Sequence, residues 1–103
     1  MNRSLVVEPP DKQRARMAAA CAVLGCEMRL RILEVLARNA GTLHVEAIAE
    51  AVGISQPTAS YHLMRLLQVG FVSFEKGALH HYYSISHERM TDMLWAILER
   101  IHP

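Results

Sequence analysis

A chain of 103 residues, 51 % of them hydrophobic, is long enough for one folded unit that buries somewhat over ~60 % of the surface its unfolded form exposes. No apolar run approaches the ~20 residues of a membrane-spanning helix, and Leu5-Val6-Val7 is too short for the core of a secretory signal. The formal net charge is only +1, and two cysteines, Cys21 and Cys26, make no disulfide framework, so the chain reads as a reduced, cytoplasmic protein without a membrane partner.

Residues 1–9 are expected to form a loose, flexible arm, and residues 10–103 the folded DNA-binding and dimerisation domain. Pro10 suits a helix start, and Asp11 to Leu24 follows with Ala and Arg at good helix-forming positions until Gly25 breaks the run. A second helix follows from Cys26, with Leu30, Leu33, Leu36 and Ala37 on one stripe, Ile32 and Val35 beside it, and Gly41 as terminator. A shorter third helix has Thr42 as its N-cap and Val45, Ile48, Ala49 and Val52 as its buried face. Gly53-Ile54 leaves room only for a tight connection before the next start signal, Ser55-Gln56-Pro57. The fourth helix then runs to about Gln68, turns Ala59, Leu63, Leu66 and Leu67 inward, and ends at Gly70. Two helices joined by a turn of three or four residues containing Gly is the helix-turn-helix pattern.

The period then changes. Phe71 to Lys76 and Leu79 to Ile85 are β-rich runs around Gly77-Ala78, the pattern of a hairpin. Ser86 caps a last helix from His87 to about Ile101, in which Met90, Met93, Leu94, Ile97, Leu98 and Ile101 form one apolar stripe. The expected fold is mainly α with a β-hairpin wing, in the order α-α-α-α-β-β-α. The last stripe has no further helix in the chain to cover it, which points to a second copy of the chain.

Charge is distributed unevenly along these elements. Pro10 to Asn39 carries a net +3, Gly41 to Val52 a net −2, and Gly53 to Ser84 a net +1 with His62, His80 and His81 in addition. Such a bias can form a phosphate-facing stripe, although few counterions would be released on binding.

The runs LGCEMRLRILEVL, LHVEAIAEAVGISQPTASYHLMRLLQVGFV and EKGALHHYYSIS together resemble the ArsR/SmtB group of bacterial repressors over roughly residues 15–101. The resemblance implies a homodimer joined through its first and last helices and bound to double-stranded operator DNA. It also implies release by a metal, metalloid or redox signal. The residues agree on the reading face: Ser55, Gln56, Thr58, Ser60 and Tyr61 lie outward at the start of the fourth helix, with Arg65 a turn further on. A recognition helix contacts base edges with its N-terminal residues, and Gln can read adenine through two hydrogen bonds. Lys76 at the wing tip and His80 nearby can touch the adjacent backbone. His62 lies nearer the core, as a packed, hydrogen-bonded histidine. Tyr61 stands where many members of the group carry Arg.

Three places could receive a signal. Where many metal-sensing members carry Cys-x-Cys at the start of the third helix, this chain has His44 and Glu46; His-x-Glu could ligate Zn²⁺ or a harder ion, but residues two apart on a helix do not share a face, so exposed polar groups is the favoured account. His87, Glu99 and His102 could hold Zn²⁺ between paired last helices, since Glu99 and His102 are i, i+3 and share a face. Cys21 and Cys26 could form a thiol sensor, activated by Arg29 or by the N-terminus of the following helix. A zinc, other metal or metalloid ion is thus an open cofactor assignment, and none is needed for folding. His80 and His81 point to opposite faces of a strand and cannot chelate as a pair. No Gly-rich phosphate loop, HExxH or Gly-x-Ser-x-Gly motif supports an enzyme. The alternatives to an inducible repressor are a constitutive repressor and a winged-helix module for protein contacts.

Overall fold

The computed structural model describes residues 10–39 and 42–101. The expected N-terminal arm, the terminator Gly41 and the candidate ligand His102 lie outside them. Eight elements follow in chain order: α1 (Pro10–Leu24), α2 (Glu27–Arg38), β1 (Leu43–His44), α3 (Val45–Val52), α4 (Gln56–Gln68), β2 (Val72–Lys76), β3 (His81–Ile85) and α5 (His87–Ile101). The expected order holds, with one short strand added.

That strand alters the start of α3. Thr42 is not the cap; Leu43 and His44 pair with Tyr83 and Tyr82 of β3, and His44 caps α3 by accepting the Ala47 N–H at Nδ1 (3.0 Å). A two-residue strand has no alternation to read, so the helix boundary looked two residues earlier than it is. The sheet is antiparallel in the order β1-β3-β2, with Phe74 opposite Tyr83 and Lys76 opposite His81 in the wing. The hairpin loop spans residues 77–80 rather than Gly77-Ala78 alone. The Gly77 N–H donates to the His80 carbonyl (2.9 Å), and Leu79, expected in the strand, is 88 % exposed at the tip.

The core gathers Val23 from α1, Ile32 and Leu36 from α2, Ile48 and Val52 from α3, Leu63 and Leu66 from α4, and Phe71 before β2. The buried face of α3 is the predicted one. Leu30, Ala37 and Leu67 are corrections, being exposed rather than inward. α2 and α4 each meet the core along a narrower arc than their sequence stripes, because neighbouring helices cover only that arc. Between α3 and α4, Gly53 takes the left-handed conformation (φ 73°) and its N–H closes onto the Ala49 and Glu50 carbonyls, which sets the tight turn. Gly70 (φ 80°) makes the corresponding exit from α4 into the wing.

No helix of the described residues is long and apolar enough to cross a membrane.

Candidate nucleic-acid interface and sensor positions

Helix α4 starts with a well-formed cap. The Ser55 hydroxyl accepts the Thr58 N–H (3.3 Å) and donates to Thr58 Oγ1 (2.8 Å), and Pro57 sits in the first turn, where its missing N–H costs no bond. This arrangement presents Gln56, Thr58, Ser60 and Tyr61 to solvent while Ala59 and Leu63 go to the core. Gln56 is exposed and held: its Nε2 donates to Glu46 Oε1 of α3 (3.1 Å). Arg65 is drawn back instead, half-buried with Nη1 donating to Gln68 Oε1 (3.0 Å).

Helix α4 is tied to α2 by a contact spanning 33 residues of sequence. Arg29 donates Nε to His62 Nδ1 (3.2 Å) and Nη1 to the Val23 carbonyl (3.1 Å), and its guanidinium lies 6.0 Å from the Tyr61 ring. Burial, and secondarily the Arg29 charge, lower the His62 pKa from its ordinary 6.5. His62 is therefore the packed, hydrogen-bonded histidine its place on the helix suggests. Arg29 commits two of its donor groups to this tie, a role that its proximity to the cysteines in sequence did not reveal.

On the wing, Lys76 is exposed at the end of β2. His81 packs edge-on against Phe74, with ring centroids 4.9 Å apart. His80 turns the other way, towards α3, with its ring 4.5 Å from that of His44. The structure sets His44 beside Glu46, where two such positions within one helix would not share a face. His44 precedes the helix and caps it, so its ring lies beside the first turn, where Glu46 also sits. Glu46 Oε2 lies 3.4 Å from His44 Nδ1 and 3.5 Å from His80 Nδ1. Among the described residues, His44, Glu46 and His80 are the one group of three whose ligand atoms converge, all within 4.8 Å of one another. Sequence reasoning missed the set because its third member arrives through β1–β3 pairing, 34 residues beyond Glu46.

The other candidate signal positions are spread out. His87 and Glu99, both exposed, open and close α5, about 18 Å apart along its axis at 1.5 Å per residue, so one protomer cannot bring them to one ion. Cys21 is exposed on α1, and Cys26 is half-buried as the N-cap residue of α2, without a side-chain cap bond.

The apolar stripe of α5 divides. Met90 and Met93 pack against the core, and Ile97 is half-buried. Leu94, Leu98 and Ile101 stay 59 %, 51 % and 71 % exposed, and no α5 residue is fully buried. Trp95, 47 % exposed and absent from the expected stripe, widens this face. The helix is fastened to α1 by Arg100 Nη2 donating to Gln13 Oε1 (2.8 Å), beside a cleft of about 330 Å³ lined by Met17, Ala20, Val69 and Met93.

The family model for bacterial regulatory proteins of the arsR family matches residues 26–73. No curated protein sequence matches significantly. Among solved structures, a fragment of a possible transcriptional regulatory protein from Mycobacterium bovis is 32 % identical over 96 % of this chain and 97 % of its own, with a TM-score of 0.66. In solution that fragment is a homodimeric winged helix-turn-helix DNA-binding domain (29 % identity, 94 % and 93 % covered, TM-score 0.70). NolR from Sinorhizobium fredii is 31 % identical over 93 % of this chain and 95 % of its own, with a TM-score of 0.68. The reduced form of HlyU from Vibrio cholerae is 28 % identical over 89 % and 94 %, with a TM-score of 0.66.

Proposed function

The chain belongs to the arsR family of bacterial regulatory proteins, as a winged helix-turn-helix DNA-binding domain rather than an enzyme, and we propose that it acts as a homodimeric repressor reading a pseudo-palindromic operator. The observation that carries this reading is the capped start of α4, where Gln56, Thr58, Ser60 and Tyr61 are all exposed beside the wing. Base edges in the major groove are read by such N-terminal side chains, and free backbone N–H groups at a helix start favour phosphate. The exposed Leu94, Leu98 and Ile101 supply the surface through which two copies would pair about a two-fold axis. Pairing sets two recognition helices at a fixed spacing, so half-sites should lie about 10 bp, or a multiple of it, apart.

The test is a gel shift of the full chain on DNA from its own promoter, with footprinting of the protected segment. A two-fold symmetric footprint supports the proposal. Retention of no DNA, at low salt as well as high, would leave a module for protein contacts instead.

A thiol-reactive signal is the second reading, and the solvent access of Cys21 favours it. Release of DNA by peroxide, polysulfide or arsenite should vanish when Cys21 and Cys26 are both changed to Ser. An interfacial ion held by His87 of one protomer and Glu99 and His102 of the other would instead be lost with His87→Ala and His102→Ala. A wild-type protein that ignores all these agents is a constitutive repressor.

A further inference from the structure

We propose that Glu46 fixes which way the Gln56 amide faces and thereby sets the base that Gln56 reads, favouring adenine and rejecting guanine. The choice of base rests on the DNA-binding reading above; the restraint on the amide does not.

Glu46 lies in the first turn of α3 and Gln56 opens α4, and the tight turn at Gly53 brings their exposed side chains together. The two ends of a glutamine amide are chemically opposite, since its oxygen accepts and its nitrogen donates. A carboxylate only accepts. Glu46 Oε1 can therefore engage only the nitrogen end, and Nε2 donates to it at 3.1 Å. The carboxylate is itself steadied from three sides. The helix dipole at the start of α3 favours its negative charge. Its other oxygen, Oε2, lies 3.4 Å from His44 Nδ1 and 3.5 Å from His80 Nδ1. His44 Nδ1 accepts the Ala47 N–H and has no proton to offer, so His80 Nδ1 is the nitrogen that can donate to Oε2. Glu46 thus stands between α4 and the wing, with one oxygen turned to each. Its charge repels phosphate, so what it adds to DNA binding is selectivity and not affinity.

The restraint has a consequence for each base. With Nε2 turned to Glu46, Oε1 faces away as an acceptor, and one Nε2 hydrogen stays free. Adenine sets the N6 donor beside the N7 acceptor in the major groove, which matches both groups. Guanine presents O6 and N7, both acceptors, and leaves Oε1 opposed by an oxygen. Turning the amide over to meet guanine would set Oε1 against the Glu46 carboxylate, acceptor against acceptor, with both left unpaired. Cytosine offers its N4 donor alone and so forms one bond where adenine forms two. Glu46 is a positioning residue here, because it touches Gln56 and not the base.

The test measures base preference with the full chain on double-stranded DNA. Selection from duplexes with randomised half-sites gives the preferred operator, and the position whose preference disappears in Gln56→Ala is the one Gln56 reads. Exchange of adenine for guanine there should weaken wild-type binding about tenfold or more, whereas in Glu46→Ala and Glu46→Gln the two bases should come within about threefold. Glu46→Gln keeps the size of the side chain, but its own amide can face either way and restrains nothing. Thermal unfolding confirms that each variant is folded. With Gln56→Ala already in place, Glu46→Ala should alter no base preference, as a residue acting through Gln56 requires. The proposal is overturned by a preferred base other than adenine, or by a wild-type preference retained in both Glu46 variants. A Glu46 effect that persists without Gln56 overturns it as well. The restraint is read without DNA: the Gln56 side-chain amide signals in NMR should shift in Glu46→Ala, and unmoved signals show that no restraint exists. A wild type that selects no sequence refutes the operator reading and the choice of base with it. A wild type that selects adenine with or without Glu46 refutes this proposal alone.

Discussion

Helices α3 and α5 are about equally amphipathic, yet α3 buries Val45, Ile48, Ala49 and Val52 while α5 buries nothing completely. The difference lies in what surrounds them. α3 is flanked in the chain by α2 and α4, and both close on it, with Phe71 as a plug. Among the described residues, α5 meets α1 and the rim of the core, which take Met90 and Met93 and leave Leu94, Leu98 and Ile101 outside. An apolar stripe states that a face needs cover; it does not state whether the cover is in the same chain.

The contrast is broken most severely at its closed end. Phe71 is fully buried, and Phe71→Ala should cost about 3–5 kcal/mol in urea unfolding through the cavity it leaves. A loss within that range at every protein concentration fits a core completed inside one protomer. At the open end, Leu94→Glu should convert a dimer to a monomer in sedimentation and remove any dependence of melting temperature on protein concentration. A variant that stays dimeric places the interface elsewhere than on α5.

Between the two ends lies the proposed reading face. Gln56→Ala should lose about 1–3 kcal/mol on the preferred operator and little on random DNA. A uniform loss would mean that α4 turns another face to the bases. Lys76→Ala should weaken both DNAs equally and lower the salt slope by about 1, because a phosphate contact carries no sequence information.

The smallest expected effect is on pH dependence, and it belongs to the closed end. Since the folded protein lowers the His62 pKa from 6.5, the unfolded chain binds the proton more readily. Stability should therefore fall as pH drops below 6.5 and level off once the pH is under the folded pKa. Unfolding at neutral and mildly acidic pH should show this slope reduced in His62→Gln. An unchanged slope would assign it to other groups.

Much of this was legible from residues alone. The helix-turn-helix was readable because its signals are local: Gly53 for a left-handed turn, Ser55 with Pro57 for a helix start, and the apolar spacing of α3. The exposed polar run from Gln56 to Tyr61 followed from the positions of Ala59 and Leu63. The stripe of α5 was readable as well, although Trp95 stood outside the apolar period and was passed over.

What remained hidden was every relation that depends on distant segments meeting. Periodicity marks which face of a helix is apolar, but the arc a neighbour covers depends on packing, which left Leu30 and Leu67 outside. The Arg29–His62 tie joins two helices across 33 residues. The meeting of His80 with His44 and Glu46 needs a two-residue strand to register against β3, and no short pattern encodes that pairing. Local backbone preference and amphipathic period are properties of consecutive residues, so the sequence determined the five helices, the wing hairpin, their order and the helix-turn-helix. Convergence of side chains from separate elements is a property of how those elements pack, and only the tertiary structure decided it.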